Sequence, residues 1–401
     1  MKSLGFVLLL AACGFKSAAG GGAVDGSVVD SDNGTGNHGG HDSGVIGDAF
    51  VPPDAQECFG KGLVKECLGD PPTGDRTLSN DIDTSNAGNC IKTFTQTNGP
   101  DLCVIAANTI TVNATVNVTG TRALVLIAAD KIDVQSTGTI DASSRTTTPS
   151  RKGAAADATT CTAAGNGMND SGGSGGGAGG SFGTVGGKGG LGDTNDSGKP
   201  DGMAPGGTPG AAQTPTVLRG GCKGGAGGNG QNDNNAAHTA NNGGEGGGAV
   251  YLIAVNTITI SGNVFASGAG GNSNINTGAE QGGGGGGTGG MIGLDAPTLT
   301  VTGHVVANGG AGAGGGASFG GTTGSDGSTT DWNTRLAGGV GDHNVNGDGG
   351  AGAQSTVDGT TTNLDGGMSS LGGGGGAGGL GVIMTWGTLT GTMISPAPIK
   401  N

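Results

Sequence analysis

A short phrase of alternating apolar and β-branched residues recurs in this chain, keeping its internal spacing while the glycine around it varies. It reads VIAANTITVNATVNVTG from Val104, LIAADKIDVQSTGTIDAS from Leu126, LIAVNTITISGNVFASG from Leu252 and GLDAPTLTVTGHVVANG from Gly293. Ile105, Ile127, Ile253 and Leu294 align, as do Ile110, Ile132, Ile258 and Leu299, then Val112, Val134, Ile260 and Val301. A stacked parallel solenoid demands this recurrence, because each coil sets the same apolar positions against its neighbour. The expected fold class is therefore all-β, with a parallel solenoid as its frame. Alternation such as Thr109-Ile110-Thr111-Val112 marks strands with one face in and one out.

Glycine supplies 98 of 401 residues without a strict Gly-X-Y period, which excludes collagen. Glycine loses the most backbone entropy on folding, so the apolar phrases must stabilise what the glycine costs. Four tracts (172–190, 220–230, 282–290 and 372–379) are dominated by glycine. They read either as loops thrown out from one edge or as extended polyglycine helices packed side by side. Their length and lack of charge favour the packed helices. Gly138, Gly262 and Gly303 fall at corners that need positive φ or close approach between coils.

Ile105 and Ile127 lie 22 residues apart, one circuit of a three-sided coil. The longer intervals between later phrases carry low-complexity insertions. The solenoid is expected over 102–395, preceded at 57–101 by a cysteine-bearing lead-in whose Thr77–Ser85 segment forms a first, imperfect coil. Thr388-Leu389-Thr390 echoes the phrase at the end of the stack. Pro396 and Pro398 then discourage further pairing in the tail 396–401. Residues 13–56 read as a flexible tether, reaching roughly 35–40 Å on average by glycine-rich linker scaling.

The formal charge is −14 with 3% aromatic residues, the reverse of the basic, ring-bearing surface that nucleic acid requires. Residues 1–12 carry Lys2 and a short apolar run, too short to span a bilayer, as in a signal peptide. The run ends in Leu10-Ala11-Ala12-Cys13, which resembles the lipobox of bacterial lipoproteins. That resemblance implies lipidation of Cys13 and attachment to a membrane. By the same analogy, Gly14 permits sorting to an outer membrane. Several acyl chains on one cysteine give stable anchoring where one chain does not. The remaining cysteines are Cys58, Cys67, Cys90, Cys103, Cys161 and Cys222. An even count in an exported chain implies three disulfides out of fifteen connectivities. Sequence neighbours make the simplest set: Cys58–Cys67, Cys90–Cys103 and Cys161–Cys222.

Chemistry-bearing motifs are sparse. Three G-x-S-x-G matches fall in glycine tracts and lack the strand–turn–helix setting of a nucleophile elbow. The five histidines show no zinc spacing. Calcium is a minor expectation at Asp30/Asp32/Asn33, Asp193/Asp196 and Asp342/Asp348, where oxygen-rich loops suit a hard cation. No other cofactor is expected. The most charged coil holds Arg122, Asp130, Lys131, Asp133 and Asp141, of which the first four are the candidate carbohydrate site. Thr109/Thr111, Thr257/Thr259, Thr298/Thr300 and Thr388/Thr390 are expected to stack as a flat outer file. Such a T-x-T array resembles the ice-binding face of some β-solenoid antifreeze proteins.

In composition and phrase pattern the chain resembles glycine-rich lipoproteins of bacterial envelopes and the right-handed parallel β-helix group of surface and polysaccharide-active proteins. The resemblance implies a right-handed solenoid displayed on the cell surface. The expected function is structural or adhesive and not enzymatic, with extracellular polysaccharide or surface proteins as partners. A polysaccharide-binding or -cleaving enzyme is the alternative, and an ice-binding solenoid the third reading.

Overall fold

The computed structural model describes residues 57–170, 173–193, 203–230, 241–273, 280–316, 321–327, 336–341 and 372–401. All lie in the unit Pro53–Asn401. The signal segment, Cys13 and the whole tether fall outside them. Among the described residues the structure is nearly all β, with one 3₁₀ turn at Ala87–Asn89.

The chain opens with β1 (Glu57–Phe59) and β2 (Glu66–Leu68), an antiparallel hairpin closed by Cys58–Cys67. There follow β3 (Asp75–Leu78), β4 (Ile82–Asp83), β5 (Lys92–Phe94), β6 (Leu102–Val112), β7 (Thr115–Thr119), β8 (Ala123–Val134) and β9 (Thr139–Asp141). After the short pair β10 (Gly192–Asp193) and β11 (Met203–Ala204) come β12 (Ala249–Ala254), β13 (Thr257–Ile260) and β14 (Asn263–Phe265). The last are β15 (Met291–Val301), β16 (His304–Val306), β17 (Val382–Thr390), β18 (Ile394–Ser395) and β19 (Ile399–Lys400).

Two parallel sheets result. The larger runs β19-β17-β15-β12-β8-β6-β3, with β13 continuing the β12 row and β5 antiparallel on β6; the smaller runs β18-β16-β14-β9-β7-β4. Successive passes of the chain thus leave one strand in each sheet. The first pass is β3 and β4, so the Thr77–Ser85 segment pairs as a coil, with Thr77 opposite Thr111 and Ile82 opposite Val118. At the other end the tail departs from expectation. Beyond Pro396 and Pro398, Ile399 and Lys400 pair in parallel with Met384 and Thr385. Proline removes only its own N–H, and both prolines lie outside the paired residues.

One aligned column needs correction. Ile110, Ile132, Ile258 and Leu299 do pair in register, as do Val112, Val134, Ile260 and Val301. Ile105, however, faces Leu126, which faces Leu252 and then Leu294, whereas Ile127 pairs with Ile253. Between Ala107 and Thr109 the register shifts, with Asn108 of β6 opposite two residues of β8, Ala129 and Asp130. Because side chains alternate, a one-residue slip moves Ile127 and Ile253 to the opposite face.

Both faces are in fact apolar there. Ile105, Leu126, Leu252 and Leu294 join the core enclosed by the two sheets, with Ile110, Val116, Ile132 and Ile140. Val104, Val125, Ile127, Tyr251 and Ile253 form a second core with Phe59, Val64 and Leu68 of the hairpin and Phe182 and Leu218 of the insertions. The first half of each long strand is covered on both sides and reads as a continuous apolar run. The second half, covered on one side, alternates. Each fully buried Ile or Leu contributes about 1.5–3 kcal/mol, which offsets the entropy cost of the glycine.

The glycine segments bond to one another with a period of three. Gly282, Gly285 and Thr288 donate to Gly228, Gly225 and Cys222; Gly283, Gly286 and Gly289 donate to Gly373, Gly376 and Gly379. Gly284, Gly287 and Gly290 donate to Asn272, Ala269 and Ala266. The carbonyls of the same stretch accept from Ser174, Gly177 and Gly180, from Gly310 and Ala313, and from Gly244 and Gly247. Residues 280–290 are therefore hydrogen-bonded to six surrounding segments. Backbone approach this close leaves no room for Cβ: at Gly375 it would meet the Gly284 carbonyl oxygen at 1.9 Å. The corners behave alike. A Cβ at Gly303 would meet the Gly262 oxygen at 1.7 Å, and at Gly262 the Gly138 oxygen at 2.0 Å. At these three corners close approach, and not positive φ, requires glycine.

Cys90 pairs with Cys103 and Cys161 with Cys222. The latter bond ties residues 61 apart and lies against the second core.

Candidate functional site

The second half of the large sheet presents two files of side chains to solvent. Thr109, Lys131, Thr257, Thr298 and Thr388 occupy one; Thr111, Asp133, Thr259, Thr300 and Thr390 occupy the other. Inward neighbours such as Ile110, Ile132 and Ile258 anchor every row in the core. Rows lie about 4.8 Å apart and the two files about 6.6 Å apart, by strand geometry.

Of the sequence-designated carbohydrate residues, Lys131 and Asp133 sit on this ladder and interrupt its threonines. Asp130 accepts a hydrogen bond from Asn256 Nδ2 at 2.9 Å. Arg122 turns to the stack's beginning, where Nη1 donates to the carbonyls of Thr84 and Ser85 at 2.8 Å each. Its guanidinium fastens a turn of the first coil. The four are not gathered around one reacting point.

A second group of charges gathers where residues 141–157 meet the glycine segments. Asp141, at the end of β9, is buried and receives Arg145 Nη2 at 2.9 Å and also Arg151 Nη2. Arg151 further donates from Nε to the Ser143 carbonyl at 3.0 Å. Asp157 adopts a left-handed backbone with φ 56°, and its Oδ1 accepts the Gly246 amide at 2.9 Å. Lys152 Nζ lies 2.9 Å from Asp157 Oδ2 and 3.3 Å from Glu245 Oε2, while Lys223 Nζ lies 2.6 Å from Glu245 Oε1.

Asp157 and Glu245 are hydrogen-bonded carboxyls whose environments push them apart. Burial, then the adjoining Glu245, raises Asp157 to about 7. Burial opposes ionisation of Glu245 too, yet the hydrogen bond from Asp157 and the ammoniums of Lys223 and Lys152 hold it at about 2. One proton is thus shared near neutrality, with Asp157 the acid and Glu245 the anion. Glycosidic cleavage by two carboxyls needs them about 5–9.5 Å apart, to hold a sugar or a water between them. Here the Lys152 ammonium bridges the two carboxyls. The pair's evident work is to clamp Gly246 and Lys152.

Two depressions meet at Lys152. One, of about 610 Å³, is lined by Gly120, Thr121, Ala155, Asp157 and Thr160; the other, of about 600 Å³, by Arg145, Ser150, Arg151, Asn242 and Glu245. Sequence reading passed over these residues. The available signal was a lone glutamate within Gly243-Gly244-Glu245-Gly246-Gly247, where charge is otherwise avoided.

Two further polar groups are structural. Asp295, 3% exposed, accepts the amides of Lys61 at 2.5 Å and Gly62 at 3.0 Å, pinning the β1–β2 hairpin over the second core. Tyr251 stacks against Trp386 beneath it, and burial raises its phenol. Arg219 is buried against the Phe182 ring at 4.4 Å, with Nη1 3.2 Å from Cys161 Sγ.

Among the described residues no three His, Cys, Asp or Glu side chains gather as metal ligands, and no helix is long and apolar enough to cross a membrane. Of the loops expected to suit calcium, only Asp193 is among those residues. Comparison with known family models, curated proteins and solved structures returned no match.

Proposed function

We propose that this chain is a non-catalytic structural or adhesive protein of a bacterial surface, attached through lipidated Cys13 and raised on its glycine-rich tether. In this reading the two parallel sheets wind as a right-handed β-solenoid, and the glycine segments form a bundle of polyglycine helices along it. A three-residue hydrogen-bond period supports the latter, since an extended left-handed helix has three residues per turn.

The observation that carries the proposal is the six-sided backbone bonding of residues 280–290. Interlocked main chain makes a stiff, protease-resistant slab and spends the chain's length on area, as a surface coat requires. Treating intact cells with added protease tests it. Cleavage within the tether and release of a folded 57–401 fragment supports display; full protection with cleavage only after lysis refutes it. Cys13→Ala should release the protein from the membrane fraction.

The register of the threonine files favours a second reading, binding to a periodic solid such as ice. Growth of unaltered ice crystals in purified protein eliminates it.

A further inference from the structure

The groove that Arg145, Arg151 and Lys152 share with Glu245 stands apart from the rest of this acidic chain. Three cations and one carboxylate line it, and Asp141 and Asp157 pair with the same cations. Arg151 is spent on Asp141, Ser143 and Asn117, so it serves as a fixed wall. Lys152 is paired with Asp157 and Glu245, and Arg145 with Asp141, yet both remain partly open. Their side chains are 51% and 37% exposed. Arg145 Nε is also buried with no hydrogen-bond partner among the described residues. The Lys152 ammonium has three donors and two are engaged by Asp157 and Glu245, which leaves one for an acceptor in the groove.

The groove's form narrows what that acceptor is. At about 600 Å³ it falls in the range of small-molecule sites, well beyond one inorganic anion. Its remaining rim is hydroxyl and amide, with Ser150 and Asn242 exposed. Such groups match sugar hydroxyls. Lys152 also lines the neighbouring depression.

We propose that this groove binds an acidic polysaccharide, its anionic substituent seated between Lys152 and Arg145 and its hydroxyls against Ser150 and Asn242. The inference names a partner class for the adhesive reading and rests on that reading for its biological setting. Its test is independent of where the protein resides.

Purified chain, with Cys13→Ser replacing the lipid attachment, is titrated calorimetrically at low salt with polygalacturonate, dextran sulfate, neutral dextran and sodium sulfate. Saturable binding of polygalacturonate or dextran sulfate, with none to neutral dextran, is expected. Whichever acidic polymer binds more tightly identifies the substituent as carboxylate or sulfate. Lys152→Gln should weaken it about tenfold or more, as for loss of a charge-assisted contact, and Lys152→Arg should restore most of it. Lys65→Gln, exposed on the β1–β2 hairpin, should change nothing. Thermal melting of each variant separates lost binding from lost fold; if Lys152→Gln unfolds, Arg145→Gln carries the comparison. Equal binding by both Gln variants and the parent, binding of neutral dextran, or no polymer binding overturns the proposal. Sodium sulfate binding as tightly as the polymers overturns its saccharide part. Failure here leaves the cell-surface protease result standing, and the reverse also holds.

Discussion

Gly285→Ala isolates the role of glycine in the bundle. A Cβ built at Gly285 lies 2.0 Å from the Ala178 carbonyl oxygen and 2.4 Å from its carbon. Ordinary carbon–oxygen contact is over an ångström longer, so the 280–290 and 173–183 segments must part. Four main-chain bonds lie on that turn: Gly285 to Gly225, Gly244 to Gly285, Gly225 to Ala178 and Gly180 to Gly286. Stretching three or four of them at about 1 kcal/mol each forfeits roughly 3–4 kcal/mol. Alanine returns about 0.4–1 kcal/mol by restricting the unfolded chain. The net expectation is a loss of about 2–4 kcal/mol, read from urea unfolding midpoints at unchanged m-value. Gly69→Ala supplies the control, since nothing lies within 4 Å of a Cβ there and its φ is not positive. That variant should gain the entropic term alone, so the same substitution has opposite signs at two sites. A neutral or stabilising Gly285→Ala, matching Gly69→Ala, refutes the close-packed bundle.

The carboxyl pair makes stability depend on pH. Folded Asp157 keeps its proton up to about 7 while an unfolded aspartate has lost it, so stability falls as pH rises through that interval, by up to about 1.4 kcal/mol per unit. Glu245, held at about 2, loses its contribution as pH falls below the ordinary glutamate range. Thermal melts should therefore peak near pH 4–5, and Asp157→Asn should flatten the decline toward pH 7; an unchanged slope contradicts the assignment. Asp295→Ala should leave the Lys61 and Gly62 amides unpaired and open the hairpin to trypsin at Lys61 and Lys65, at a rate the parent does not show. Removing Cys161–Cys222 as a double alanine variant should cost about 4 kcal/mol from loop entropy, against about 2.5 kcal/mol for Cys58–Cys67. Equal losses would show that loop length does not govern the stapling.

The repeated phrase by itself determined that strands would stack in parallel and which residues would share its second half. Ile110, Ile132, Ile258 and Leu299 share a column because alternation leaves those positions one inward direction. Tertiary structure decided the first half. Where Ile127 and Leu126 are both apolar, pattern cannot say which faces in, and the extra residue of β8 at Ala129–Asp130 decided it. It decided the charged groove as well: Asp157 and Glu245 lie 88 residues apart, and only the packing of glycine segments brings them into contact. Local sequence sets periodicity because side chains alternate within a strand. Contacts between distant segments depend on how backbones nest, and glycine, having no side chain, leaves no pattern to read.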